Sequence, residues 1–138
     1  MFAGKKECEC CIKLNQHLYF IFLSELAYSC AYRYSASAFV FSLVNKPGWA
    51  PVKLSQTRQS IPDPLSTYSC SRYGPTFGGG HAIYIASYAS SNKNSYSNPG
   101  YTYSPPSGHS YGSSFARSFM AGSYKFQPDE VEVFYETT

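Results

Sequence analysis

Charge is what this chain has least of. Only 14 % of its 138 residues are charged, the formal net charge is +3, and the only aspartates, Asp63 and Asp129, both sit beside proline. The basic residues are scattered, Lys5, Lys6, Lys46, Arg72, Arg117 and Lys125 among them, with no run of five. A nucleic-acid binder carries a basic face or stripe, so that class is set aside. Neither Gly-x-x-x-x-Gly-Lys-Ser/Thr nor Gly-x-Gly-x-x-Gly occurs, which removes the phosphate-cradling loops of nucleotide enzymes. Gly108-His109-Ser110-Tyr111-Gly112 fits Gly-x-Ser-x-Gly in letters, but it lies in a Ser-, Gly- and Pro-rich stretch with no strand pattern before it, so it does not read as a nucleophile elbow. No apolar run reaches the ~20 residues that span a bilayer. The stretch from Leu18 to Leu26 is short and interrupted by Glu25, so no stable membrane insertion is expected.

There is no Asn-x-Ser/Thr sequon, although Asn and Ser are abundant. That absence favours an intracellular, cytoplasmic address. The alternative is secretion with residues 1–31 as a signal peptide, a reading that Glu7, Glu9 and Glu25 weaken. The five cysteines are odd in number: Cys8, Cys10, Cys11, Cys30 and Cys70. Cys-Glu-Cys-Cys does not match the paired Cys-x2–4-Cys spacing of structural zinc, so reduced thiols and no metal site are expected. Cys70 stands alone before a turn and reads as an inert thiol.

What the chain has in quantity is aromatic side chain, 18 % of the residues, with 14 Tyr and 10 Phe. Such a composition favours sheet over helix. Ala38 to Val44 reads as a strand, ended by the turn Asn45-Lys46-Pro47-Gly48. Val52 to Leu54 reads as a short edge strand in a proline-rich region. Leu65 to Cys70 and His81 to Ala86 read as further strands. Between them Gly78, Gly79, Gly80 and His81 form a tight structural corner, where glycine allows positive φ and close approach. Ser123 to Phe126 and Val131 to Tyr135 read as the last strands, with Val131, Val133 and Tyr135 sharing one face. Glu130, Glu132 and Glu136 form an acidic rim on the closing strand. It is a candidate partner contact, or else the solvated side of an edge strand.

Two regions are harder to read. Residues 1–37 look like a divergent Cys- and aromatic-rich leader, with a helix expected from Leu14 to Tyr32 and strand as the alternative. Residues 87–114 are rich in Ser, Asn, Tyr, Gly and Pro, a composition that cannot bury a core by itself. A long functional loop, a disordered segment or sticky Tyr-rich sequence all fit it. Phe115 to Met120 is one helical turn or a short strand, and His109 is expected in solvent.

Catalysis finds little support. His81, a serine and Asp129 could make a triad only without the strand-turn-helix context that a nucleophile needs, and His81 reads as a structural residue that hydrogen-bonds a loop carbonyl at the corner. No catalytic residues are expected.

Phe39-Val40-Phe41-Ser42-Leu43, the corner Phe77-Gly78-Gly79-Gly80-His81 with its Ile-Tyr-Ile strand, Phe119 to Phe126, and Asp129 to Phe134 together resemble a TLDc domain. The resemblance covers residues 36–138, with a partial TLDc-like domain expected at 38–138 and no match to the family's N-terminal part in residues 1–35. It implies a mostly β fold, a two-sheet sandwich with a few short flanking helices, N-terminally incomplete here. It further implies a non-enzymatic protein-interaction module without cofactors. The family's context is oxidative-stress protection or regulation of the vacuolar proton ATPase, whose subunits become the implied partners. A Tyr- and Ser-rich self-associating structural protein, or an incomplete non-functional fragment, is the alternative.

Overall fold

A computed structural model describes residues 8–14, 17–23, 31–33, 38–57, 67–69 and 72–135. Two antiparallel sheets make up the fold. The first has five strands in the order β11-β1-β2-β4-β5. Its members are β1 (Cys8–Leu14), β2 (His17–Leu23), β4 (Phe39–Val44), β5 (Val52–Leu54) and β11 (Glu130–Tyr135). The second has six strands in the order β10-β9-β8-β7-β6-β3. These are β3 (Ala31–Arg33), β6 (Thr67–Ser69), β7 (Thr76–Phe77), β8 (Ile83–Tyr84), β9 (Ser95–Ser97) and β10 (Lys125–Phe126).

Of the stretch from Leu14 to Tyr32, where a helix is expected, the described residues are strand instead, and 15–16 and 24–30 lie outside the described residues. β1 and β2 pair as a hairpin, Leu14 opposite His17 through Cys8 opposite Leu23. β2 is an interior strand, with β1 on one side and β4 on the other. The run His-Leu-Tyr-Phe-Ile-Phe-Leu has no period-two polarity, a pattern that interior strands share with buried helices. β11 closes the edge of this sheet on β1, with Val131 opposite Ile12 and Val133 opposite Cys10. The closing strand expected from the sequence is therefore present, and its partner is the segment that reads as a leader. β5 is the opposite edge, which suits its proline-rich flanks.

Val40 and Leu54 of the first sheet meet Phe77, Ile83 and Phe126 of the second in a single buried cluster, which Tyr103, Phe119 and Met120 complete. Each large apolar side chain moved from water to this core contributes about 1.5–3 kcal/mol. The alternation is clean: in β4 Val40 and Ser42 point inward, while Phe39, Phe41 and Leu43 are half-buried.

Residues 87–114 are no separate arm. They supply β9, an interior strand of the second sheet, and Tyr103, which is 0 % exposed. Polar backbone there is satisfied by the chain that follows β5: Thr57 N donates to Thr102 O at 2.7 Å and Ser104 N to Ser55 O at 2.8 Å. The segment cannot form a core alone, yet β9, one tyrosine and a few buried serines suffice once the segment joins the strands that the rest of the chain supplies.

The one α-helix among the described residues, α1 (Ser114–Phe119), resolves the ambiguity at Phe115 to Met120. Ser113 caps it, its Oγ accepting from Ala116 N at 3.2 Å. Ala116 and Phe119, three apart, are its buried face. Gly122 at φ +86° ends it and donates to Ser118 O at 2.9 Å. The Asn45 turn docks on the helix end, Lys46 N donating to Phe119 O at 2.9 Å. His109, expected in solvent, is instead half-buried, stacked on Phe115 with ring centroids 3.5 Å apart.

Burial of Tyr103 gives a pH prediction. Its phenol is held well above the ordinary 10.0 because ionisation inside the core would strand a charge away from water. The unfolded phenol loses its proton near 10.0, before the folded one does. The folded state then binds more protons, so stability falls as pH rises past that point. The loss is about 1.4 kcal/mol per pH unit from this group. Urea unfolding at pH 8, 9, 10 and 11 should show the decline, and Tyr103→Phe should make it shallower, leaving the share of the other raised phenols, Tyr32, Tyr84 and Tyr96.

Candidate functional site

The second sheet has a core face and an outer face. Phe77, Ile83 and Phe126 point to the core. Strand register places the opposite positions in a row: Tyr32 opposite Tyr68, Tyr68 opposite Thr76, Thr76 opposite Tyr84, Tyr84 opposite Tyr96, and Tyr96 opposite Lys125. Residues directly opposite on antiparallel strands stand ~5 Å apart, so large rings there must touch. They do. Centroids are 4.8 Å apart for Tyr32–Tyr68 and 5.1 Å for Tyr84–Tyr96. Tyr73 bridges the gap over Thr76, edge-on to Tyr84 at 5.2 Å and 5.8 Å from Tyr68. Tyr124 extends the row beyond Tyr96 at 5.7 Å.

The glycine corner holds the middle of this platform. Gly78 at φ +83° and Gly80 at φ +69° turn the chain between β7 and β8, and His81 N donates to Gly78 O at 3.1 Å. Gly79 N donates to the buried Thr102 Oγ1 at 2.8 Å, which anchors the corner to the core. A Cβ on Gly78 would lie 3.1 Å from Thr102 Cβ, so the close approach needs glycine as well as the φ. His81 does not begin a strand. It sits in the turn at φ +53°, its ring stacked on Tyr84 at 5.8 Å. Its Nδ1 shares a 3.0 Å hydrogen bond with Tyr96 Oη. The sequence predicts a loop carbonyl as its partner; a phenol takes that place because the turn swings the imidazole out over the tyrosines.

Burial holds the His81 imidazole below its ordinary 6.5, and burial followed by neighbouring phenols pushes Tyr32, Tyr84 and Tyr96 up. At neutral pH these four groups of the platform are therefore uncharged, and the three hydroxyls can both donate and accept. Positive charge lies at its margin: the Arg117 guanidinium sits over the Tyr124 ring at 4.6 Å, and Lys125 is exposed beside Tyr96. The pattern suits recognition by flat, amphipathic rings. His81 meets phenols rather than a serine–carboxylate pair. Among the described residues no group of three His, Cys, Asp or Glu could hold a metal ion.

Of the acidic rim, Glu130 and Glu132 are exposed on the edge strand β11, away from the row of tyrosines in sequence and on the other sheet. Glu136, Cys30, Cys70 and the side chains of Cys8, Cys10 and Cys11 lie outside the described residues. Among those residues no helix is long and apolar enough to cross a membrane. Sequence reasoning missed the tyrosine platform itself. One signal was present: no aspartate or glutamate occurs from residue 64 to 128, where Tyr68, Tyr73, Tyr84, Tyr96 and Tyr124 all lie.

An antiparallel two-sheet domain with a glycine corner and an aromatic outer face is the class these features define. The family model of the TLDc domain matches residues 11–136, nearly the whole chain, and the chain belongs to that family. The match begins inside β1, so it takes in the N-terminal hairpin as well as the strands from Phe39 onward. No curated protein gives a match to the chain.

Proposed function

We propose that this TLDc domain is a non-enzymatic protein-contact module acting inside the cell. Its setting is that of its family, oxidative-stress protection or regulation of the vacuolar proton ATPase. The observation that carries the reading is the platform of contacting tyrosines on the outer face of the second sheet. Tyrosine offers large contact area at little entropic cost and is enriched among the few residues that dominate binding energy. No cofactor enters this reading.

Self-association through residues 87–114 is less favoured, because that segment is taken up by β9 and the core tyrosine Tyr103. Quantitative pull-down with the folded chain tests the proposal. Vacuolar proton ATPase subunits are expected with the wild type, and roughly tenfold less with Tyr84→Ser, as for a hot-spot tyrosine. Recovery of no pump subunit by a folded sample removes the pump part. Recovery unchanged by Tyr84→Ser removes the platform.

A further inference from the structure

A groove of about 590 Å³ runs between the Gly74–Pro75 turn, the loop carrying Tyr88 and the start of β11. Its walls include Tyr73, Pro75, Tyr88, Pro128, Asp129 and Glu130. We propose that this groove takes an arginine-bearing segment of a partner protein. The inference rests on the reading of the domain as a contact module and names the chemistry of one contact.

Charge complementarity selects the occupant. The chain carries a net charge of +3 and has no carboxylate side chain from residue 64 to 128, yet Asp129 and Glu130 stand together on this wall. Both are exposed, and among the described residues the Glu130 side chain makes no hydrogen bond or ion pair. Two phenols, Tyr73 and Tyr88, line the same groove. A guanidinium is planar, stacks on an aromatic face and presents a fork of donors to a carboxylate, so it suits a groove lined by both kinds of group. Lysine, a compact and strongly hydrated charge, uses only one of them well.

Tyr88 supports the assignment. Its ring is 86 % exposed, so the fold gains little from its burial. Its backbone is nevertheless held at φ +54°, ψ +40°, a region unfavourable for tyrosine. The loop is pinned there by its own bonds: the Tyr88 carbonyl accepts from Ser91 N, Ser91 Oγ and Asn92 Nδ2, each at 2.9 Å. Asn92 Nδ2 also donates to Ser87 O at 3.0 Å. The backbone that carries this aromatic side chain is thus held in place beside the groove. Tyr73, which also lines the groove, is edge-packed on Tyr84 and joins the groove to the tyrosine platform.

The experiment is an amide NMR titration of the full chain with acetyl-Gly-Arg-Gly-amide, against the same peptide carrying citrulline, which keeps the shape of arginine and removes its charge. Saturable shifts are expected at residues 88–90 and 129–130. The citrulline peptide should bind at least about fivefold more weakly, in line with the loss of one charge-assisted contact. Glu130→Gln and Tyr88→Asn should each weaken arginine binding by a similar factor. Asparagine tolerates the left-handed backbone, so Tyr88→Asn should keep or raise the melting temperature, which separates lost binding from lost folding. Equal response to arginine and citrulline, shifts centred on Tyr84 and Tyr96, or no saturable shift each overturn the inference. Pump-subunit capture lost in Tyr84→Ser but unchanged in Glu130→Gln and Tyr88→Asn sinks the groove alone and leaves the contact reading standing.

Discussion

Tyr103→Ala should destabilise this domain by about 3–5 kcal/mol, the cost of deleting a fully buried aromatic side chain and leaving its cavity. The ring is 0 % exposed and lies in the cluster that joins the two sheets. Its backbone bridges to Gln56, and its neighbours Thr102 and Ser104 are bonded to Thr57 and Ser55. The stitching prevents the segment from collapsing into the void, so relaxation will recover little of the loss. Against a total of about 5–15 kcal/mol for an ordinary domain, this is a large fraction. The melting temperature should fall by roughly 10–20 °C. Tyr103→Phe keeps the ring and serves as the reference. A loss under about 1 kcal/mol in Tyr103→Ala would mean that the segment is not part of the core.

Gly100→Ala should cost about 2–5 kcal/mol, because two penalties act together. Gly100 is at φ +133°, where a side chain is strained. A Cβ there would lie 2.8 Å from both Cα and Cβ of Tyr111, so the clash is partly with backbone that has no rotamer to change. Gly108→Ala separates the two contributions. Gly108 is at φ +80° with nothing within 4 Å of an added methyl, so strain alone applies, about 1–2 kcal/mol. Chemical unfolding of both variants should give a clear gap between them. Equal losses would show that the Gly100–Tyr111 approach is not made in solution. Because Tyr111 also faces the glycine corner at Gly80, loosening this contact should disturb the platform's edge.

A handful of strands was legible because their patterns survive in isolation. Phe39 to Val44 alternates, Val52 to Leu54 sits between prolines, and Lys125–Phe126 and Glu130–Tyr135 follow their turns. The glycine corner was legible because three adjacent glycines have few other uses. The N-terminal hairpin was not, since an interior strand such as β2 and a buried helix present the same unbroken apolar run. Nor was the core role of Tyr103, which hides in a Ser- and Asn-rich stretch whose composition argues for solvent.

From its residues alone this chain had already declared a mostly β domain of TLDc type, with its turns placed by Pro, Gly and Asn and its surface poor in charge. Those properties are local, and local sterics and side-chain polarity decide them. Which strands become neighbours was decided only in three dimensions, where β11 finds β1 across the length of the chain and Tyr32, Tyr68, Tyr84 and Tyr96 come into one row. Pairing across such separations depends on the free energy of closing long loops around a shared core, which no short window of sequence contains.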